Sequence, residues 1–191
     1  VKEFYDQLNN EDKYIITEDL NINGVVYESF HKIKERLYAR IEQLYSEDDF
    51  CVVHGDFCFN NILYDVSHRL IKLIDPRGSF GNKYKGLYGD IKYDLAKLLH
   101  SAIGGYDYLV NNLYQIEFDE KNISYNILNK HNNAIIEDKA RQLVSNLGYS
   151  IKDIMLIVGT LFLTMPPLHC DSCSRQRVMY IHGIKIINEN L

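Results

Sequence analysis

The sequence has little of what marks a membrane-spanning, secreted or nucleic-acid-binding chain. Its most apolar stretch, Ile154 to Met165, is 12 residues long and contains two threonines, whereas a bilayer crossing needs roughly 18–20 apolar residues. No basic-then-apolar leader opens it; the first residues are V-K-E-F-Y-D-Q. A chain that opens on Val is expected to be a processed form or an excised fragment. Basic residues are in the minority: 21 Lys+Arg against 26 Asp+Glu give a formal net charge of −5. No global cationic field therefore draws it to nucleic acid or anionic lipid. A local phosphate site stays open, because a metal ion can supply the positive charge. Only three prolines occur, two of them adjacent (Pro166, Pro167), with no Pro/Gly/Ser linker, repeat or low-complexity tract. One continuous folded unit over 1–191 is expected.

Four cysteines, Cys51, Cys58, Cys170 and Cys173, read as reduced thiols in a cytoplasmic setting. Cys170-x-x-Cys173 with His169 resembles half of a zinc site, but the second pair would have to be Cys51 and Cys58, which are poorly spaced for it. Zinc is the weakest of the readings.

The balance of 46% hydrophobic and 25% charged residues is that of a globular domain. The first 50 residues read as mostly helical. Phe30, Ile33, Leu37, Ile41 and Leu44 form one apolar stripe on a helix over about 26–45. Phe50–Val53 reads as a short buried strand, Ile62–Tyr64 as a second and Leu70–Ile74 as a third. Residues 76–89, with Gly78, Gly81, Gly86 and Gly89, read as a long loop. Asp90–Ala102 returns to helical spacing. Tyr114–Phe118 and Ile123–Ile127 alternate as a hairpin. Helices are expected near 131–147, 151–164 and 173–188, with Ser150 and Asp153 capping the second.

Chemistry concentrates in residues 50–96. Asp56 and Asp75 end adjacent short strands, and Asn61 lies at the exit of the loop between them. An Asp at a strand end is most often a turn former. Phosphoryl transfer, however, needs a group to orient and deprotonate a hydroxyl and oxygen ligands for Mg²⁺. Asp56 suits the first task; Asp75 and the Asn61 amide oxygen suit the second.

His54-x-Asp56-x-x-x-x-Asn61, then a strand ending Ile74-Asp75, then Tyr93-Asp94-Leu95-Ala96, resembles the catalytic segment of the aminoglycoside phosphotransferase and choline kinase family. That is the small-molecule branch of the protein-kinase-like fold. Asp75-Pro76-Arg77-Gly78, Gly89-Asp90 and Tyr93-Asp94-Leu95-Ala96-Lys97 also resemble phosphotransferases encoded with bacterial surface-polysaccharide genes. The resemblance implies an α+β fold, a mainly helical C-terminal lobe with a few short strands, in which 50–96 is the catalytic and metal segment and 97–191 the helical acceptor side. It implies Asp56 as catalytic base, Asn61 and Asp75 as Mg²⁺ ligands, and His54 holding the loop to the metal segment. Asp94 would brace the loop, and Arg77 would touch a phosphate or form a surface ion pair. ATP is the implied nucleotide, and the partner a small hydroxyl acceptor such as an amino alcohol, sugar or aminoglycoside. Tyr106, Tyr108 and His169 are candidate linings of the acceptor pocket. His100 and His182 carry no partner pattern and read as structural.

The family's N-terminal ATP lobe is not visible. Only 53 residues precede His54, with Gly24 their sole glycine, and neither a glycine-rich loop nor a strand Lys is found. A lobe without its partner would expose an apolar face, for which a homodimer is one cover. A non-catalytic binding or regulatory module is the rival reading.

Overall fold

The computed structural model describes residues 1–80, 84–119, 122–128 and 133–191. Gly81, the centre of the expected hairpin turn (120–121) and the expected helix start at 131–132 lie outside the described residues.

The fold is α+β, dominated by helices with small sheets attached. Its centre is an antiparallel pair, α7 (Ile151–Thr164) and α8 (Cys173–Asn190). These two helices are buried on several sides. Ile154, Val158 and Phe162 of α7, with Val178 and Met179 of α8, face one apolar cluster. Leu156 and Leu163, with Tyr180, Ile181, Ile184 and Ile187, face the other. Each such fully buried aliphatic side chain contributes about 1.5–3 kcal/mol. The helices approach closely because Gly159 meets Gly183. A Cβ on Gly159 would sit 2.5 Å from Ile187 Cγ1 and 3.3 Å from the Gly183 carbonyl oxygen.

Against one side pack α4 (Ile91–Ala102), α5 (Tyr106–Val110) and α6 (Ala134–Asn146). Against the other pack α1 (Lys2–Gln7), α2 (Tyr14–Thr17) and α3 (Phe30–Leu44). The α3 stripe behaves as its spacing predicts: Phe30, Ile33 and Leu37 are buried. The Ser150 hydroxyl accepts the Asp153 N–H and caps α7. No single described helix is long and apolar enough to cross a membrane.

The first 50 residues are less helical than their composition suggests. Between α2 and α3 lie β1 (Leu20–Ile22) and β2 (Val25–Tyr27), an antiparallel pair turned by Asn23-Gly24, both at positive φ. Asn-Gly is a hairpin signal, but three-residue strands are too short for alternation to show. β1 also pairs in parallel with β10 (Asn122–Ile127), which pairs with β9 (Tyr114–Asp119), giving a four-stranded sheet in the order β2-β1-β10-β9. The Asn23 amide extends that seam, bonding both the N–H and the C=O of Tyr125 at 2.9 Å.

Two further corrections concern residues 50–90. β3 (Phe50–Val52) is not buried; Val52 is 64% exposed. Residues 76–89 are not all loop: β6 (Ser79–Phe80) pairs with β7 (Tyr84–Lys85), and β8 (Tyr88–Asp90) pairs with β3. The two expected strands Ile62–Tyr64 and Leu70–Ile74 are present as β4 (Ile62–Asp65) and β5 (Leu70–Leu73), and they pair antiparallel as a hairpin.

Beside β3, Lys92 is buried and ion-paired with Asp49 and with Asp90, the latter at 3.0 Å, while the Tyr149 hydroxyl donates to Asp49 at 2.7 Å. Burial alone would lower the Lys92 pKa, but the two carboxylates outweigh it and raise the ammonium above its usual range.

Candidate active site

The site is a loop held by one stripe of α4. After β3, Val53 N–H bonds Leu87 C=O at 2.9 Å and ends the strand pairing. Gly55 then takes φ +76°, a left-handed conformation that costs an L side chain about 1–2 kcal/mol. The turn aims the N–H groups of His54 and Gly55 at Asp94, whose two carboxylate oxygens accept them at 2.6 and 2.8 Å. Asp94 lies in the first turn of α4, as the resemblance implied.

Asp56 follows, with both oxygens engaged. The Asn61 side-chain N–H₂ donates to Asp56 Oδ2 at 3.1 Å and to its backbone oxygen at 2.8 Å. Lys97 Nζ lies 2.7 Å from Asp56 Oδ1, and the lysine side chain is 7% exposed. In the sequence Lys97 stands only as the last residue of the Tyr93–Lys97 motif, with no role of its own. Its signal was present, because Lys97 is one helical turn past Asp94 on the same face. Ser101 continues the stripe: its hydroxyl accepts the Phe59 N–H at 3.2 Å. Asp94, Lys97 and Ser101 thus meet residues 54–55, 56 and 59 in order.

The Asp75 segment is stitched alongside. Ile74 N–H bonds Asn61 C=O at 3.0 Å, and Arg77 N–H bonds His54 C=O at 2.7 Å. These bonds bracket Asp75 and bring it beside the Asn61 end of the loop. Asp75 is exposed, with φ +55°. Among non-glycine residues, positive φ is uncommon and clusters at functional sites. Asn61 makes both of its side-chain bonds through its amide nitrogen, so its oxygen stays free among the described residues.

His54 joins the two segments through its backbone oxygen rather than its ring. The ring Nδ1 accepts the Asp56 N–H at 3.3 Å, and Nε2 is buried without a partner among the described residues. Arg77 is exposed, its guanidinium donating to the Tyr93 hydroxyl at 3.3 Å.

Of the suggested acceptor linings, Tyr106 belongs to this neighbourhood. Its ring stacks on His100 at 4.4 Å, and its hydroxyl pKa is raised by burial, then by the nearby charges of Cys58 and Asp56. Burial likewise pushes the Cys58 thiol up. His169 instead lies against Arg175 Nη1 at 3.4 Å, and Tyr108, on α5, packs partly buried against the core. His100 is fully buried between Tyr106 and Phe162, with neither ring nitrogen bonded among the described residues. His182 is buried and bonded to the Tyr125 hydroxyl at 2.7 Å and the Gly104 carbonyl at 2.8 Å.

Cys170 and Cys173 are exposed and Cys58 is buried. Among the described residues no group of three or more His, Cys, Asp or Glu side chains is placed to hold a metal. The second pair that a zinc site needs is not assembled around Cys170-x-x-Cys173. The Asn61–Asp75 pairing is of another type, one amide oxygen and one carboxylate, suited to a hard cation that keeps most of its waters.

Compared with known proteins, the chain matches no family model, no curated protein and no solved structure.

Proposed function

We propose that this chain carries the catalytic apparatus of an ATP-dependent phosphotransferase, moving the γ-phosphoryl group to a hydroxyl of a small acceptor. One observation carries the reading. Asp56 is pinned at both oxygens, and the Asp75 segment is stitched next to it by main-chain bonds to His54 and Asn61. The order of these residues resembles the aminoglycoside phosphotransferase and choline kinase family.

In this reading Asp56 accepts a hydrogen bond from the acceptor hydroxyl. The hydroxyl oxygen bonds to the γ-phosphorus, the bridging oxygen leaves with ADP, and the proton passes to Asp56 and then to solvent. The catalytic gain lies mostly in positioning, which the α4 stripe supplies. Asn61 and Asp75 fit Mg²⁺: among the described residues the Asn61 oxygen is free, and the Asp75 carboxylate is exposed and unbonded. When bound there, Mg²⁺ would neutralise charge on the nucleotide's phosphates. Arg77, two residues after Asp75 in the chain, is a cation in that segment.

Apolar side chains of the strands beside the site are uncovered: Val52, Leu63, Leu70, Ile71, Leu73, Leu87 and Tyr88 are each 47–68% exposed. By the β4–β5 register Leu63 and Leu70 stand on one side of that hairpin and Ile71 and Leu73 on the other. Large apolar side chains left in solvent in this number mark an interaction surface. It supports the reading that a nucleotide-covering element packs over β3, β4, β5 and β8.

The test is thermal unfolding with and without ATP, each with and without Mg²⁺. Ligand at about 100 times its dissociation constant stabilises by about 2.7 kcal/mol, on the order of 5–10 °C for a domain of this size. A shift that needs both ATP and Mg²⁺ supports the phosphotransferase. Asp56→Asn should keep that shift and lose phosphoryl transfer. A chain that ignores Mg·ATP would instead be a non-catalytic binding module.

A further inference from the structure

Resting on the phosphotransfer reading, we infer that Lys97 is a positioning residue of the reaction, its ammonium holding the Asp56 carboxylate in the plane from which it takes the acceptor's proton. Lys97 sits among core positions. Its helix neighbours Leu95, Ala96 and Leu99 are 6%, 0% and 0% exposed, and Lys97 itself is 5% exposed. Burying an ammonium is costly, and apolar replacements of buried ion pairs are often neutral or stabilising. Packing alone would favour leucine or methionine there. What the lysine adds is a bond to one oxygen of one residue, Asp56.

The carboxylate torsion of Asp is broad. One bond, from the Asn61 amide to Oδ2, leaves the group free to swing about that contact. A second, from Lys97 to Oδ1, fixes the plane. Each oxygen still has a lone pair for a substrate hydroxyl. The three α4 side chains then have separate tasks. Asp94 holds the backbone before Asp56, Ser101 holds the backbone after it, and Lys97 alone holds the reacting group.

The experiment uses Mg·ATP as the only substrate, with water as acceptor, and follows release of inorganic phosphate. Lys97→Met should lower kcat about 100-fold, the loss expected for a misplaced reacting group, with the KM for Mg·ATP within about threefold. Its melting temperature should stay within a few degrees of wild type. Ethylammonium should restore part of the rate to Lys97→Ala and none to Asp56→Asn. Adding Lys97→Met to Asp56→Asn should cost nothing further, because residues acting as a unit are non-additive. Four results would each overturn the inference: an undiminished kcat, a loss that appears wholly in KM, an additive double variant, or a melting point far below wild type. Wild-type protein that neither hydrolyses nor is stabilised by Mg·ATP would overturn the phosphotransfer reading itself, and the role of Lys97 with it.

Discussion

The carboxylate of Asp94 accepts the backbone N–H of His54 at 2.6 Å across forty residues of sequence. With the Gly55 bond at 2.8 Å, this fastens the loop to α4 just before Asp56. Charge-assisted bonds of this type contribute about 1.5–3 kcal/mol each. Asp94→Ala should therefore cost about 2–4 kcal/mol in urea unfolding, and Asp94→Asn less, because one oxygen remains. A loss below 1 kcal/mol for the alanine variant would remove the clamp from the account.

Asp75 offers a separation of stability from function. At φ +55° its backbone suits glycine better than an L residue. Strain relief and the extra unfolded-state entropy of glycine nearly cancel, so Asp75→Gly should melt within about 2 °C of wild type. The same variant should lose the Mg²⁺-dependent part of the ATP-induced shift. Retention of that part would exclude Asp75 as a metal ligand.

His100 should give the protein an acid-sensitive stability. Burial, followed by the charges of Lys97 and His182, holds its pKa well below the usual histidine range. It is neutral in the fold, whereas the unfolded chain takes up a proton below about pH 6.5. The unfolded state then binds more protons, so stability is held above about pH 6.5 and lost as pH falls towards the depressed folded value. His100→Phe removes the titration and two unbonded buried nitrogens while keeping a ring against Tyr106 and Phe162. It should gain about 1–2 kcal/mol at pH 7 and flatten the slope between pH 7 and 5 in urea titrations. An unchanged slope would place the acid sensitivity elsewhere.

At the centre of the fold, Gly159→Ala drives a methyl group into Ile187 Cγ1 at 2.5 Å and close to the α8 backbone. Overpacking of this kind costs about 1–3 kcal/mol, roughly 3–10 °C in the melting temperature. Gly78→Ala is the control: its Cβ meets nothing within 4 Å, so it should stay within about 0.5 kcal/mol of wild type. Equal effects of the two would mean that α7 and α8 do not pack at that spacing.

Much of the helical framework was legible locally. Apolar spacing placed α3, α4 and α7 within a few residues, because one buried stripe is a property of a single helix. The strands β4 and β5 and the β9–β10 hairpin were legible for the same reason. The N-terminal hairpin was not, since its parallel seam with β10 joins Asn21 to Asn122 and Ile22 to Ile123, a pairing that no local window contains. The exposure of Val52 was equally hidden: an apolar strand does not say what covers it. At the site, residues joined along the chain were found, and the role of Lys97 was missed. Its bond to Asp56 depends on how α4 rolls against the loop, which only packing decides.

The seam between β1 and β10 also sets a timetable for synthesis. Ile15, Ile16, Leu20 and Ile22 are almost wholly buried in the finished protein. β1 can pair at once with β2, but its seam with β10 cannot form until residues 122–123 exist. At about 5–20 residues per second, the ribosome needs on the order of 5–20 s to make that intervening stretch. Until it is made, the β1–β2 hairpin lacks its other neighbour and these four aliphatic side chains lack part of the core that buries them. Cells making this protein would therefore do best to slow collision between neighbouring nascent chains, by chaperone cover or sparse ribosome loading, until β10 has been made.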